Sequence, residues 1–178
     1  MKTACFQIQF LVLAFLLVGA ALAHAETQQF ELLATKINLA QFEKTLKLAE
    51  KSKFESGIYS YAFPIPDTPK YGLSRFEAHG QFPQDLDKVV ISCHRFTNKG
   101  KGEAYQESVG SPCGKIYAQA LSVFTGEFVD LTNHLMSSAR AMGKPYSMAR
   151  YKIRDFLFEY GNDGVLIIRR ASRTIPKV

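Results

Sequence analysis

Apolar residues spaced three or four positions apart predict a helix over residues 38–53. Charged residues fill the positions between them, which is typical of an amphipathic helix with one buried side. Asn38 is placed to cap the N-terminus of this helix, and Gly57 is placed to stop it. The apolar side consists of four residues at helical spacing, Leu39, Phe42, Leu46 and Ala49.

Aromatic and β-branched residues predict three strands after this helix. The strands cover residues 57–63, 73–82 and 88–96, and the last contains the run Val89, Val90 and Ile91. Prolines at positions 64, 66 and 69 separate the first two strands. Because proline can neither continue a helix nor pair within a central strand, we expect an extended surface loop there.

Ser111 followed by Pro112 marks the start of a central helix, because serine caps helices and proline suits their first position. The apolar spacing continues to about Phe124, and a second amphipathic stretch lies between Gly126 and Gly143. The sequence leaves open whether Gly126 separates two helices or lies within one.

The C-terminal part predicts a β-hairpin with strands at residues 151–160 and 165–171. Residues 161–164 join them with the sequence Gly-Asn-Asp-Gly, in which Asn and Asp suit a turn and Gly164 suits a left-handed backbone. The pattern as a whole predicts an α+β fold. It consists of an antiparallel sheet with an N-terminal helix, one or two central helices packed on it, a C-terminal β-hairpin and one disulfide.

The first 25 residues have the pattern of a secretory signal peptide. A charged residue, Lys2, precedes an uncharged apolar stretch, and Ala23-His24-Ala25 provides the small residues of a cleavage site. We therefore predict a signal peptide over residues 1–25 and a single α+β domain over residues 26–178. The protein is expected to be exported, to the periplasm or the extracellular space, with no transmembrane span after cleavage.

Cleavage after Ala25 leaves a mildly basic protein with 21 Lys and Arg against 16 Asp and Glu. This charge permits contact with an anionic surface or an acidic protein. Nucleic acid is not expected as a partner of an exported chain that carries no recognisable binding motif. The sequence also has no phosphate-binding loop, serine-hydrolase elbow or paired metal-ligand motif, so we expect no cofactor and no metal.

Two cysteines remain after cleavage, Cys93 and Cys113, and an even pair in an oxidising compartment predicts a disulfide. The alternative is that Cys113 acts as a nucleophile, because the first turn of a helix favours a thiolate. His134 or His79 would then act as the base. A permanent disulfide and a free nucleophile exclude each other.

Two groups of residues are candidates for binding. The first surrounds the proline-rich loop and consists of aromatic residues, which are common at interfaces: Tyr59, Tyr61, Phe63 and Tyr71. The second is a basic group at the open end of the predicted hairpin, in which Lys152 and Arg154 are expected to share one strand face: Lys152, Arg154, Arg169, Arg170 and Arg173. Each group also has a purely structural interpretation. The aromatic residues would belong to a half-buried strand, and the bases would be solvated residues of an edge strand that discourage aggregation.

These features favour an exported, non-enzymatic binding protein that acts through protein–protein contacts. An inhibitor, an immunity-type factor or an accessory subunit of an envelope system would fit, with another envelope or secreted protein as partner. The alternative is a cysteine hydrolase of papain-like type that cleaves peptide or cell-wall amide bonds with Cys113. A carrier of a small apolar ligand, held between helix and sheet, is a third hypothesis.

Overall fold

The computed structural model describes residues 29–48, 53–64, 73–93, 108–144 and 147–171. These residues form helices and antiparallel strands. The helices are α1 (Leu39–Leu46), α2 (Pro112–Leu121) and α3 (Phe128–Ala141). The strands are β1 (Lys53–Glu55), β2 (Ile58–Pro64), β3 (Leu73–His79), β4 (Lys88–Cys93), β5 (Met148–Ile153), β6 (Phe156–Gly161) and β7 (Val165–Arg170).

The strands form one antiparallel sheet in the order β1-β2-β3-β4-β7-β6-β5. β1 to β4 are successive neighbours, whereas β7 pairs with β4 and leaves β5 at the far edge. Helices α2 and α3 connect the two halves of the sheet. This arrangement confirms the predicted α+β class with an N-terminal helix, central helices and a C-terminal hairpin.

The helices cover one side of the sheet, which we call the inner face; the other side is the outer face. Phe42 of α1 contacts Phe76 of β3, Tyr117 of α2 contacts Tyr160 of β6, and α3 packs on β5 and β6. Buried aromatic side chains thus fill the space between helices and sheet.

Helix α1 is shorter than the sequence predicts. Asn38 caps it as expected, accepting a 3.0 Å hydrogen bond from the amide of Ala40. The helix ends at Leu46 because Lys47 adopts a left-handed backbone with φ of 51°. The predicted stop at Gly57 is therefore wrong, and that glycine instead forms the turn between β1 and β2 with φ of 78°.

Gly126 separates two helices, which resolves the question that the sequence left open. α2 ends at Leu121 and α3 begins at Phe128, and the predicted cap is present because Ser111 accepts a 3.0 Å hydrogen bond from the amide of Gly114. A left-handed Gly143 follows the end of α3.

The predicted strand at residues 151–160 is wrong in one respect: it is two strands. β5 ends at Ile153 and β6 begins at Phe156, and a two-residue turn with Arg154 at φ of 49° lies between them. Lys152 and Arg154 therefore do not share a strand face. The sequence marks this turn with neither glycine nor asparagine, so the usual signals for a hairpin are missing.

The predicted disulfide is confirmed. Cys93 at the end of β4 is bonded to Cys113 in the first turn of α2, with 5.8 Å between their Cα atoms. The turn between β6 and β7 packs beside it, since Gly164 accepts a 3.1 Å bond from the amide of Cys93 and a 2.6 Å bond from the hydroxyl of Tyr117. The bond thus anchors α2 where β4 meets the C-terminal hairpin.

We predict that Gly114→Ala lowers the free energy of unfolding by about 1–3 kcal/mol, because overpacking forces the backbone to shift. A Cβ atom at Gly114 would lie 2.7 Å from the Cα of Val109 and closer still to the carbonyl oxygen of Ser108. Urea unfolding measures the change. Gly126→Ala is the matched control, since a Cβ atom there meets nothing within 4 Å. Equal stability of the two variants would contradict this close packing.

Candidate functional site

The predicted basic group is divided between the two faces of the sheet. Arg169 lies on the outer face and binds Glu159. Arg170, the next residue along β7, instead binds Asp85 and lies 5.8 Å over the ring of Phe156. Successive strand residues point to opposite faces, so these two arginines cannot act on one ligand surface. Arg173 lies outside the described residues.

Glu159 organises the charges of the outer face. Its carboxylate receives hydrogen bonds of 2.8 Å from both Arg150 and Arg169, and its side chain is only 6% exposed. The three residues come from β5, β6 and β7. Arg150 lies directly opposite Glu159, whereas Arg169 is paired with Leu157 and reaches Glu159 diagonally. One carboxylate compensates two guanidinium groups, so this triad retains a net positive charge.

We predict that Glu159→Gln lowers the free energy of unfolding by about 1.5–3 kcal/mol, because it removes a buried charged acceptor of two hydrogen bonds. Chemical denaturation at neutral pH measures the change. Glu127→Gln is the control, since Glu127 is exposed and its side chain makes no capping bond to α3. An equal effect of the two substitutions would show that the triad contributes no stability.

The described residues of the predicted aromatic group lie on β2, apart from these bases. β2 is five strand spacings from β5, about 24 Å, and three from β7, about 14 Å. Tyr61 is 3% exposed and donates a hydrogen bond to Glu43 of α1, so its side chain is a core residue and not a surface contact. Tyr59 is half-buried against Phe54, with ring centroids 4.7 Å apart. Tyr71 and the side chain of Phe63 lie outside the described part of the structure.

The two histidines proposed as bases do not face Cys113. His134 of α3 packs on Phe30 and Tyr151, with ring centroids 6.4 and 5.0 Å away. His79 lies on the outer face of β3, 3.6 Å from Glu77, whereas Cys93 and its bonded partner belong to the inner core. Burial and the nearby Lys88 lower the pKa of His79, while Glu77 acts in the opposite direction. Protonation of His79 is therefore less favourable in the folded protein than in the unfolded chain. It lowers the free energy of unfolding as the pH falls below the ordinary pKa of histidine.

An open groove lies along the edge of the sheet at β5. We call it the edge groove; it has a volume of about 450 Å³ and is lined by residues 29–32 on one wall and residues 151–154 on the other. Phe30 anchors the first wall, because its ring is 5% exposed and packs 5.1 Å from that of Tyr151. The Leu33 amide donates a 2.6 Å bond to the Phe124 carbonyl and holds the same wall against the helical layer.

The edge groove brings together two of the predicted binding residues, Lys152 and Arg154, both of which are exposed. Its apolar lining was missed at the level of sequence, because residues 26–37 fit a strand and a helical turn equally well. A weak signal existed in the alternation of Phe30 and Leu32 with the polar Gln29 and Glu31.

The described residues contain no group of three or more His, Cys, Asp or Glu side chains placed to hold a metal ion. None of the helices in this part of the chain has both the length and the apolar character needed to cross a bilayer. Comparisons with protein-family models, with curated proteins and with solved structures find no match to the chain.

Proposed function

We propose that this protein is an exported, non-enzymatic binding protein that acts through protein–protein contacts at the edge groove. The observation that carries this proposal is the position of the groove beside β5, an edge strand of the sheet. Edge strands carry unpaired backbone groups that can accept a strand from another chain. An inhibitor, an immunity-type factor or an accessory subunit of an envelope system would use such a surface.

The state of the cysteines supports binding over thiol chemistry. Cys113 is bonded to Cys93, and a cysteine hydrolase requires a thiolate at that position. The disulfide also supports export, because such bonds persist in the periplasm and the extracellular space. The expected partner is accordingly another envelope or secreted protein.

Site-specific photo-crosslinking in the producing cells tests this function. A photoreactive amino acid replaces Arg154 in the edge groove or, as a control, the exposed Lys115 of α2. We expect a discrete higher-mass adduct from position 154 and none from position 115. Adducts at neither position, or the same adducts at both, would contradict binding at the groove.

The mass of the purified protein tests export independently. We expect a chain that begins at Glu26, with residues 1–25 removed. A mass that includes the intact leader would contradict the proposed compartment.

A further inference from the structure

We propose that the edge groove binds an extended acidic segment of a partner protein, which adds to β5 as a further strand of the sheet. This inference rests on the proposed binding function and specifies its site and ligand. In strand addition, main-chain hydrogen bonds supply affinity, and contacts to alternate side chains supply specificity. The backbone, the charge and the apolar lining of the groove each support this mode.

Within the described part of the sheet, β5 has a neighbouring strand on one side only, so its backbone offers bonding groups toward the sheet edge. The amide of Asn162 donates a 3.2 Å bond to the carbonyl of Ser147, which extends the β5–β6 register beyond Met148. Bonded and non-bonded pairs alternate along an antiparallel ladder. The odd-numbered residues of β5 therefore bond to β6, and Met148, Arg150 and Lys152 direct their amides and carbonyls to the edge.

The positive charge of the outer face favours a ligand of negative charge. Across β5, β6 and β7 this face carries three cations, Arg150, Lys152 and Arg169, and one carboxylate, Glu159. The groove itself is lined by two cations, Lys152 and Arg154, and one carboxylate, Glu31, so it also keeps a net positive charge. A strand added to β5 places its own side chains about 5 Å from Arg150 and Lys152. Acidic residues at those positions are attracted, and basic residues there are repelled.

The same charges disfavour a second copy of this chain as occupant. Two β5 strands related by a twofold axis would pair even-numbered residues with even-numbered residues. With the axis at Arg150 the two Arg150 side chains face each other, and one register further along Arg150 faces Lys152. Like charges directly opposite each other destabilise strand pairing. A strand of another protein, with acidic residues at alternate positions, avoids this repulsion.

The apolar lining accounts for the remaining positions of the ligand. Tyr151 of β5 and Leu32 of the opposite wall are half-buried and offer apolar contact, while Phe30 and Ile153 are buried beneath them. The four β5-side residues span about 14 Å, so a segment of four to five residues fills the groove. The expected ligand alternates acidic residues with aliphatic or aromatic ones.

Fluorescence anisotropy with a labelled peptide tests this inference on the natively purified protein. The probe is the blocked hexapeptide Glu-Val-Glu-Phe-Glu-Val, and the comparison peptides are Lys-Val-Lys-Phe-Lys-Val and a scrambled acidic peptide of the same composition. We expect the alternating acidic peptide to bind at least about tenfold more tightly than the basic one. Equal binding of the scrambled peptide would overturn strand addition.

A pair of matched variants tests the role of charge. Lys152→Glu with Arg154→Glu reverses two bases at the groove, whereas Lys44→Glu with Lys115→Glu makes the same charge change at exposed positions on α1 and α2. We expect the first pair to weaken peptide binding by about tenfold or more and the second to change it by less than about twofold. An equal loss of peptide affinity in the two double variants would show that the net charge of the protein controls binding, and would overturn a local site at the groove.

The backbone contribution is tested without altering the protein. A probe N-methylated at alternate residues keeps its side chains and loses amide donors, so it should bind far more weakly than the parent peptide. Lys152→Pro compared with Lys152→Ala tests the same amide from the side of β5. Unchanged binding of the methylated probe would overturn strand addition.

Two further outcomes separate this inference from the proposed function. Binding to phosphatidylglycerol vesicles without binding to the acidic peptide would overturn the inference in favour of an anionic surface. Crosslinks from position 154 combined with no preference for the acidic peptide would overturn the inference and leave the binding function intact. If position 154 gives no crosslinks and the acidic peptide is not preferred, both proposals are contradicted.

Discussion

Phe124→Ala is expected to lower the free energy of unfolding by about 3–5 kcal/mol, the largest effect of any single substitution considered for this protein. Phe124 is fully buried between the helical layer and the sheet. Its ring lies 5.9 Å from that of Phe42, 5.2 Å from that of Phe156 and 5.5 Å from that of Phe158. Removing it leaves a cavity that these rigid rings cannot fill.

Urea unfolding followed by circular dichroism measures this loss, and Phe82→Ala is the matched control. Phe82 is 60% exposed, so its truncation should change stability by less than about 0.5 kcal/mol. A decrease in stability no larger than that of Phe82→Ala would contradict the packing of Phe124 in the core.

Removal of the disulfide, by Cys93→Ser together with Cys113→Ser, is expected to cost about 3 kcal/mol of unfolding free energy. The bond closes a loop with a sequence separation of 20 and so restricts the unfolded chain. Both cysteines are 3% exposed, so the two hydroxyl groups that replace the sulfur atoms must also be accommodated in the core. Thermal and urea unfolding of the oxidised, reduced and substituted proteins measure the effect.

Alkylation before and after reduction provides the chemical control for the disulfide. The native mature protein should incorporate no iodoacetamide, and the reduced protein should incorporate two equivalents. Two reactive thiols in the native protein would contradict the disulfide and restore the hypothesis of a cysteine nucleophile. Unchanged stability on reduction would show that packing alone holds α2 against β4.

The disulfide and the edge groove should be separable in function. The disulfide lies near the turn between β6 and β7, whereas residues 151–154 of the groove lie at the opposite end of β5. At a temperature where the double-serine variant remains folded, its affinity for the acidic peptide should therefore match that of the native protein. This result would assign the disulfide to stability and not to binding.

Local sequence patterns were sufficient to predict much of the fold. The asparagine cap of α1, the Ser-Pro start of α2 and the turn at residues 161–164 depend on side chains a few positions apart, so they could be predicted from neighbours alone. The boundaries failed where the backbone adopts a left-handed conformation at a residue that rarely does so. Lys47 ends α1 early and Arg154 divides a predicted strand, and neither residue type signals such a turn.

Residue patterns were sufficient to predict the α+β class, the pairing of Cys93 with Cys113 and a basic group near the C-terminus. The partners of these bases depend on tertiary structure, because strand order and register bring Arg150 and Arg169 to Glu159 and place Arg170 beside Asp85. The edge groove likewise arises from two segments more than a hundred residues apart. Their approach depends on the packing of Phe30 against α3 and β5, which local spacing does not encode.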